Sequence, residues 1–198
     1  MDGSAENRTA SRALLAFGGN LAHSGQLPQE ILRRGADMLS ARLDQPLVMS
    51  RLYATPAFPA RAGPDFVNAA AALDWHGSAV DLLALLHEIE AELGRTRRTR
   101  WEARSMDIDL IALGTQVHPD AQTQQNWVEM PINHAAVQTP DQLILPHPRM
   151  AERSFVLVPL ADVAPDWCHP LTGLSVMQML AARPAAERAS VIALDTQG

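Results

Sequence analysis

The chain contains no lysine: all 16 of its basic residues are arginine. That absence excludes catalysis through a lysine amine, such as Schiff-base and pyridoxal chemistry. It equally excludes the Walker-A and protein-kinase schemes, in which a lysine sits on the nucleotide phosphates. The single cysteine, Cys168, rules out an intrachain disulfide and argues against a cysteine-rich zinc site, a usage that fits a reducing compartment. No apolar run is long enough to span a membrane, and M-D-G-S-A-E-N-R-T-A-S-R at the N-terminus lacks the apolar stretch of a signal peptide. The expected compartment is therefore the cytoplasm. Excess positive charge is lacking too. With a formal net charge of −6 the chain is a poor general binder of nucleic acid, which needs a basic surface.

Against that acidic background one basic segment stands out. In G-R-T-R-R-T-R-W-E-A-R-S-M-D-I-D-L-I-A-L, Arg95, Arg97, Arg98, Arg100 and Arg104 crowd around Trp101, and Asp107 and Asp109 follow in an apolar setting. Two residues apart on a strand, the aspartates point to the same face. Such a pair can offer hard oxygen ligands to Mg²⁺, which takes one or two carboxylates and leaves its other positions to water and phosphates. Neighbouring guanidinium groups can hold phosphate oxygens bidentately. Together these suit phosphoryl-type transfer, where catalysis is mostly positioning and charge neutralisation. The same residues could instead form structural ion pairs, the arginines compensating two carboxylates in an apolar strand.

At 198 residues the chain fits one domain, read over residues 12–198 after a polar tail at 1–11. A first strand is expected over residues 13–17, closed by Gly18-Gly19-Asn20, a turn that could cradle phosphate but, without the G-x-G-x-x-G pattern, is read as a plain tight turn. Pro28 opens a helix over about residues 29–43, with Ile31, Leu32, Met38 and Leu39 on its buried side. Strands follow over residues 47–53 and 66–73, separated by a proline-rich loop beginning T-P-A-F-P. On the second of these Phe66 and Asn68 share a face. Asn68 is either satisfied locally or forms a pocket floor that reads a heterocycle through its amide. Ser78, with Asp81 three residues on, caps the next helix, Leu82, Leu86, Ile89 and Leu93 form its buried stripe, and Gly94 ends it. Glu90 flanks the stripe, a position that by spacing alone favours a surface charge. After a strand over residues 107–113 comes an aperiodic stretch, taken as an insert loop over residues 115–142 and expected to be a surface excursion in which Trp127 could serve as a lid. An apolar run follows Arg153, then a short helix near residues 175–182 and a last strand over 191–194.

Four ordered motifs carry a family resemblance: F-G-G-N; S-R-L-Y-A-T-P with F-V-N-A-A; I-E-A-E-L-G-R-T-R-R-T-R-W-E-A-R-S-M-D-I-D-L; and L-P-H-P-R-M-A-E-R-S-F-V-L-V-P-L. From about Arg12 to Ala182 the chain resembles the 6-hydroxymethyl-7,8-dihydropterin pyrophosphokinases of folate biosynthesis. The resemblance implies an α+β, ferredoxin-like βαββαβ fold, with an antiparallel sheet and helices packed on one side. It implies Mg²⁺-dependent transfer of a diphosphate from ATP to the pterin alcohol with release of AMP. By similarity, Asp107 and Asp109 hold two Mg²⁺ ions, and Arg95 and Arg104 steady the transferring group as catalytic residues. Glu90, Arg97, Arg100, His147 and Arg153 belong to the ATP side. Thr55, Pro56, Phe58, Phe66, Asn68, Trp101 and Phe155 form the pterin pocket. The implied partners are small molecules only, with neither nucleic acid nor membrane, and a monomer is favoured.

The chain departs from the family pattern at several positions. Gly19 stands in place of the usual serine, Glu102-Ala103 in place of Gly-Pro, Ser105-Met106 in place of Thr-Leu, and Pro148 where some members carry tyrosine. The insert is longer than in compact members. A non-catalytic binding module on the same fold is the alternative, and retention of both aspartates speaks against it. An RNA-binding domain is disfavoured by the acidic balance and by the lack of aromatic pairs on a strand.

Overall fold

The structure, a computed structural model, describes residues 9–57, 63–94, 105–131 and 140–194. The chain runs β1 (Ser11–Gly19), α1 (Pro28–Leu43), β2 (Val48–Met49), β3 (Tyr53–Thr55), β4 (Phe66–Trp75), α2 (Ala79–Glu92) and β5 (Asp107–Leu113). It continues with α3 (Ala121–Glu129), a 3₁₀ turn (Met150–Glu152), α4 (Ser154–Val163), α5 (Val176–Ala181), α6 (Ala185–Ala189) and β6 (Ile192–Ala193). No helix among the described residues is long and apolar enough to cross a membrane.

Local chemistry sets the two main helices. Pro28 occupies the first turn of α1, where its missing N–H would have had no intrahelical partner, and Glu30 reaches back to the Leu27 N–H at 2.7 Å. In α2 the Ser78 hydroxyl accepts from the Asp81 N–H at 3.1 Å, and the Asp81 carboxylate accepts in return from the Ser78 N–H at 3.3 Å. Gly94 follows with φ 85°, the left-handed conformation that ends a helix at little cost for glycine.

The sheet is antiparallel in every pairing, in the order β5-β1-β4-β3-β6, with β2 also on β4. This is the ferredoxin-like arrangement, with β1 and β4 at the centre. The strand expected over residues 47–53 is split into β2 and β3. Between them the Ser50 hydroxyl takes the Ala70 N–H at 2.8 Å and donates to the Arg51 carbonyl at 2.6 Å, so a side chain replaces a stretch of ladder. The expected Gly-Gly turn is also absent: β1 continues through Gly18 and Gly19.

Alternation along the central strands makes two apolar surfaces. Ala13, Leu15, Phe17, Ala69, Ala71, Leu73, Ile108 and Leu110 pack against Ile31, Leu32 and Leu39 of α1 and Leu82, Leu86 and Ile89 of α2. This is the expected helical layer. Part of the opposite face, around Leu14, Ala16, Ala70, Ala72 and Ile111, is covered by Val156, Leu157 and Leu160 of α4 and Val176 and Met179 of α5. The alanine run Ala69–Ala72 keeps β4 thin, which allows helices to approach it from both sides. A β-bulge between β1 and β5 lies where Leu14 pairs with Ala112 but Leu15 pairs with Leu110. It turns Ile111 under α4 and leaves Asp107 and Asp109 beyond the α4 cover.

Among its described residues, the stretch read as an aperiodic insert departs from a plain loop. It contains the nine-residue helix α3, whose N-cap Asp120 accepts from the Thr123 N–H at 2.9 Å. Its sequence, A-Q-T-Q-Q-N-W-V-E, hides from a periodicity search because its one buried residue is polar, Gln124.

Candidate active site

The uncovered end of the second face is organised by strand register. Tyr53, Asn68, Gly18 and Asp107 stand in one cross-strand row over β3, β4, β1 and β5. Neighbouring strands are about 4.7–4.9 Å apart, so Asn68 and Asp107 are separated by roughly 10 Å with only a glycine between them. A Cβ built on Gly18 would lie 3.3 Å from Asn68 Oδ1. Gly18 therefore forms the open floor between an amide and a carboxylate. Asn68 is buried, and its Nδ2 donates to the buried Thr55 Oγ1 at 2.7 Å. The amide is thus oriented by a side chain, not by local backbone, and that bond uses one of its two hydrogens. Gly19 faces the other way, where a Cβ would meet the Ser105 carbonyl oxygen at 2.4 Å. Backbone there approaches too closely for the serine usual at this position.

β5 is the sheet's edge, so its outward backbone groups need partners from outside the sheet. Glu90 supplies one. Its side chain is only 1% exposed, and Oε1 accepts from the Ile108 N–H at 2.6 Å. Helix spacing suggested a surface charge for Glu90; the edge strand's need for an acceptor overrides it. Farther along β5, the Ile111 carbonyl accepts from the His147 N–H at 2.8 Å. The strand that carries Asp107 and Asp109 is therefore held from α2 and from the L-P-H-P-R segment at once.

Beside the aspartates lie His147 and Arg153. Burial lowers the Arg153 guanidinium from its ordinary value, while the Asp109 and Asp107 carboxylates oppose the shift. Burial, and then the nearby Arg153 charge, push His147 down to about 3, so the ring is neutral near pH 7. The Arg149 N–H donates to His147 Nδ1 at 3.1 Å, which leaves the proton of the neutral ring on Nε2. The Arg153 guanidinium lies 5.8 Å from the centre of the Phe155 ring, itself 40% exposed. Phe66, two residues before Asn68 on β4, is half-buried on the same face, and Pro56, just after β3, is exposed.

Asp107 and Asp109 are partly exposed, carry hard oxygen donors and share one face, a donor set that fits Mg²⁺ with most positions left to water and phosphate. Among the described residues no group of three or more His, Cys, Asp or Glu is placed to hold a metal ion. The structure thus brings Asn68, Thr55, Asp107, Asp109, His147 and Arg153 around one face and assigns Glu90 to the edge of β5. Phe58, Arg95, Arg97, Arg100, Trp101 and Arg104 lie outside the described residues. Sequence reasoning missed Gly18. Its only signal was an unusual glycine pair at the end of an apolar strand.

Residues 14–165 match the family described as 7,8-dihydro-6-hydroxymethylpterin-pyrophosphokinase (HPPK). The chain belongs to this family. HPPK proteins are pyrophosphokinases, enzymes of the transferase class. The 2-amino-4-hydroxy-6-hydroxymethyldihydropteridine pyrophosphokinase of Pseudomonas aeruginosa is 35% identical to this HPPK chain over 174 residues, 87% of this chain and 92% of the relative. That of Porphyromonas gingivalis is 35% identical over 159 residues, 79% of this chain and 92% of the relative. In fold the chain is similar to wild-type Plasmodium falciparum HPPK-DHPS, with a TM-score of 0.57 and 13% sequence identity. That match takes in 89% of this chain but only 45% of the larger one.

Proposed function

We propose that the protein transfers the β,γ-diphosphate of ATP to the hydroxymethyl group of 6-hydroxymethyl-7,8-dihydropterin and releases AMP, a step of folate biosynthesis. The observation that carries this reading is the row Asn68–Gly18–Asp107, in which an oriented amide and a carboxylate flank a floor without a side chain. A flat heterocycle carrying a hydroxymethyl arm suits that spacing: the ring sits at the amide and the arm reaches towards the aspartates.

In the reaction the pterin hydroxyl oxygen bonds to the β-phosphorus. The bond from that phosphorus to the oxygen bridging it to the α-phosphorus breaks, AMP leaves and the hydroxyl proton is released. Asn68 and Thr55 fix the ring edge, and Pro56, Phe58, Phe66, Trp101 and Phe155 supply apolar faces. Asp107 and Asp109 would hold Mg²⁺, two ions by the family resemblance, whose chemistry is neutralisation of the phosphate charge. Arg95 and Arg104 hold the transferring diphosphate, while Arg97, Arg100 and Arg153 bind the remaining phosphates as forked donors. His147 offers a neutral Nε2–H donor to the nucleotide, a role supported by its depressed pKa and by the Arg149 bond to Nδ1. Glu90 keeps the strand bearing Asp107 and Asp109 in place through Ile108. The substrates are small molecules, and the protein works as a cytoplasmic monomer without nucleic acid or membrane.

The test is to supply Mg-ATP with and without 6-hydroxymethyl-7,8-dihydropterin and to identify the nucleotide product. AMP that appears only with the pterin supports the reading. Formation of ADP, or no nucleotide product, would overturn it in favour of a non-catalytic binding module.

A further inference from the structure

Helix α3 lacks the usual reason for a surface helix to stay where it is. Such helices bury an apolar stripe, whereas among the described residues the one fully buried side chain of α3 is the amide of Gln124, 1% exposed, with Trp127 half-buried. A buried amide is costly unless it is bonded. Gln124 Nε2 donates to the carbonyl of Pro146 at 3.1 Å. Proline has no N–H, so that carbonyl is the only backbone hydrogen-bonding handle on the residue preceding His147.

Two further links run between the same partners. His118 and Leu145 exchange backbone hydrogen bonds at 2.9 and 3.1 Å, just ahead of the helix. At its other end the Arg149 guanidinium donates to the carbonyls of Val128 and Met130, which face the end of α3 where intrahelical donors run out. Leu145, Pro146 and Arg149 are thus all held by the stretch around α3, and His147 lies between them. The His147 peptide is fixed to Ile111 and its ring to the Arg149 N–H, so a shift of the held segment would move the ring.

We propose that α3 is a brace that positions His147 for the nucleotide, and that Gln124 is a positioning residue for this reaction. The inference rests on the nucleotide role given to His147 under the proposed function. It also gives the insert a purpose other than a lid. The helix is attached to the segment that presents His147, and Gln124 reaches that segment through the backbone without touching substrate.

The experiment compares the full-length wild type with Gln124→Met, which keeps the length of the side chain but cannot donate, and with Asp120→Ala, which removes the N-cap of α3 at an exposed site. Three quantities are read: the His147 ring Cε1–H signal of the ligand-free protein by NMR, the affinity for a non-hydrolysable Mg-ATP analogue, and the affinity for the pterin. For Gln124→Met the His147 signal moves and analogue binding weakens roughly tenfold, on the order of one lost hydrogen bond, while pterin affinity stays within about twofold. Asp120→Ala gives a smaller change in the same direction, and it decides the matter alone if Gln124→Met does not fold. An unmoved His147 signal, or parallel loss of both affinities with a lowered melting temperature, overturns the brace. A moved signal in a protein whose wild type has no affinity for Mg-ATP upholds the brace and overturns the nucleotide reading instead.

Discussion

Adjacent glycines on β1 should respond oppositely to the same substitution. Gly18 faces the open site, and a Cβ there would have one near neighbour, Asn68 Oδ1 at 3.3 Å. The amide must give by a few tenths of an ångström, and the strand need not move. Replacing glycine by alanine where the backbone already suits it stabilises by about 0.4–1 kcal/mol, through the unfolded chain. Gly18→Ala should therefore melt at or slightly above the wild-type temperature. Its pterin affinity should nevertheless fall, because the displaced amide is the one held by Thr55 at 2.7 Å. Partial loss of one hydrogen bond, about 0.5–1.5 kcal/mol, corresponds to roughly 2- to 13-fold in affinity. Gly19→Ala meets backbone instead, with its Cβ 2.4 Å from the Ser105 carbonyl oxygen, and Ser105 cannot yield without moving the start of β5. Overpacking of this kind costs about 1–3 kcal/mol. At roughly 2–4 °C per kcal/mol for a chain of this size, melting should drop by about 2–12 °C. Thermal unfolding and calorimetric titration with the pterin on the two variants provide the assay. If Gly18→Ala loses several degrees while binding pterin normally, Gly18 is not the floor of the site.

Asp107→Asn and Asp109→Asn should remain folded and bind pterin within a few-fold, yet lose turnover by at least about 10²-fold, as expected when charge stabilisation at a phosphoryl centre is removed. Melting temperatures that collapse while Mg²⁺-dependent AMP release persists would show them to be structural ion-pair partners. Glu90→Ala leaves the Ile108 N–H without its 2.6 Å acceptor and should cost about 1–3 kcal/mol in urea unfolding, with Glu90→Gln losing less because an amide oxygen still accepts. Equal stability of all three proteins would refute that account. His147 is held down to about 3 in the fold, against about 6.5 when unfolded, so the unfolded chain takes up the proton first as pH falls. Stability should thus decline from about pH 6.5 towards pH 3, and His147→Asn should decline less steeply; identical pH profiles would contradict the assignment.

The edge strand explains why a buried glutamate and a histidine peptide recur around the aspartates. A strand paired on one side only leaves alternate N–H and C=O groups facing outward, and these must be satisfied or the edge invites other pairing. Glu90 from α2 and the His147 N–H cover Ile108 and Ile111 in turn. The same device that protects the edge also fixes the direction in which Asp107 and Asp109 point.

By itself the sequence determined whatever is decided within a few residues. The Ser78–Asp81 reciprocal cap and the Gly94 stop mark α2 because their bonds span at most one turn. The spacing of Asp107 and Asp109, like that of Phe66 and Asn68, sets a common face because strand side chains repeat every second residue. The tertiary structure decided what depends on pairing across the chain. Gly18 becomes a floor only because register places Asn68 on one side of it and Asp107 on the other. Glu90 is buried because β5 falls at the sheet's edge, a fact no helix period contains. The run Ser154–Val163 has no clear stripe because its burial is settled by the alanine-thinned strand β4 beneath it. Helix α3 escaped notice because its one fully buried side chain is the Gln124 amide, and its bonds to Pro146 and from Arg149 come from far along the chain. Local bonds leave their signature in neighbouring residues, whereas long-range register and edge position arise only when distant segments meet.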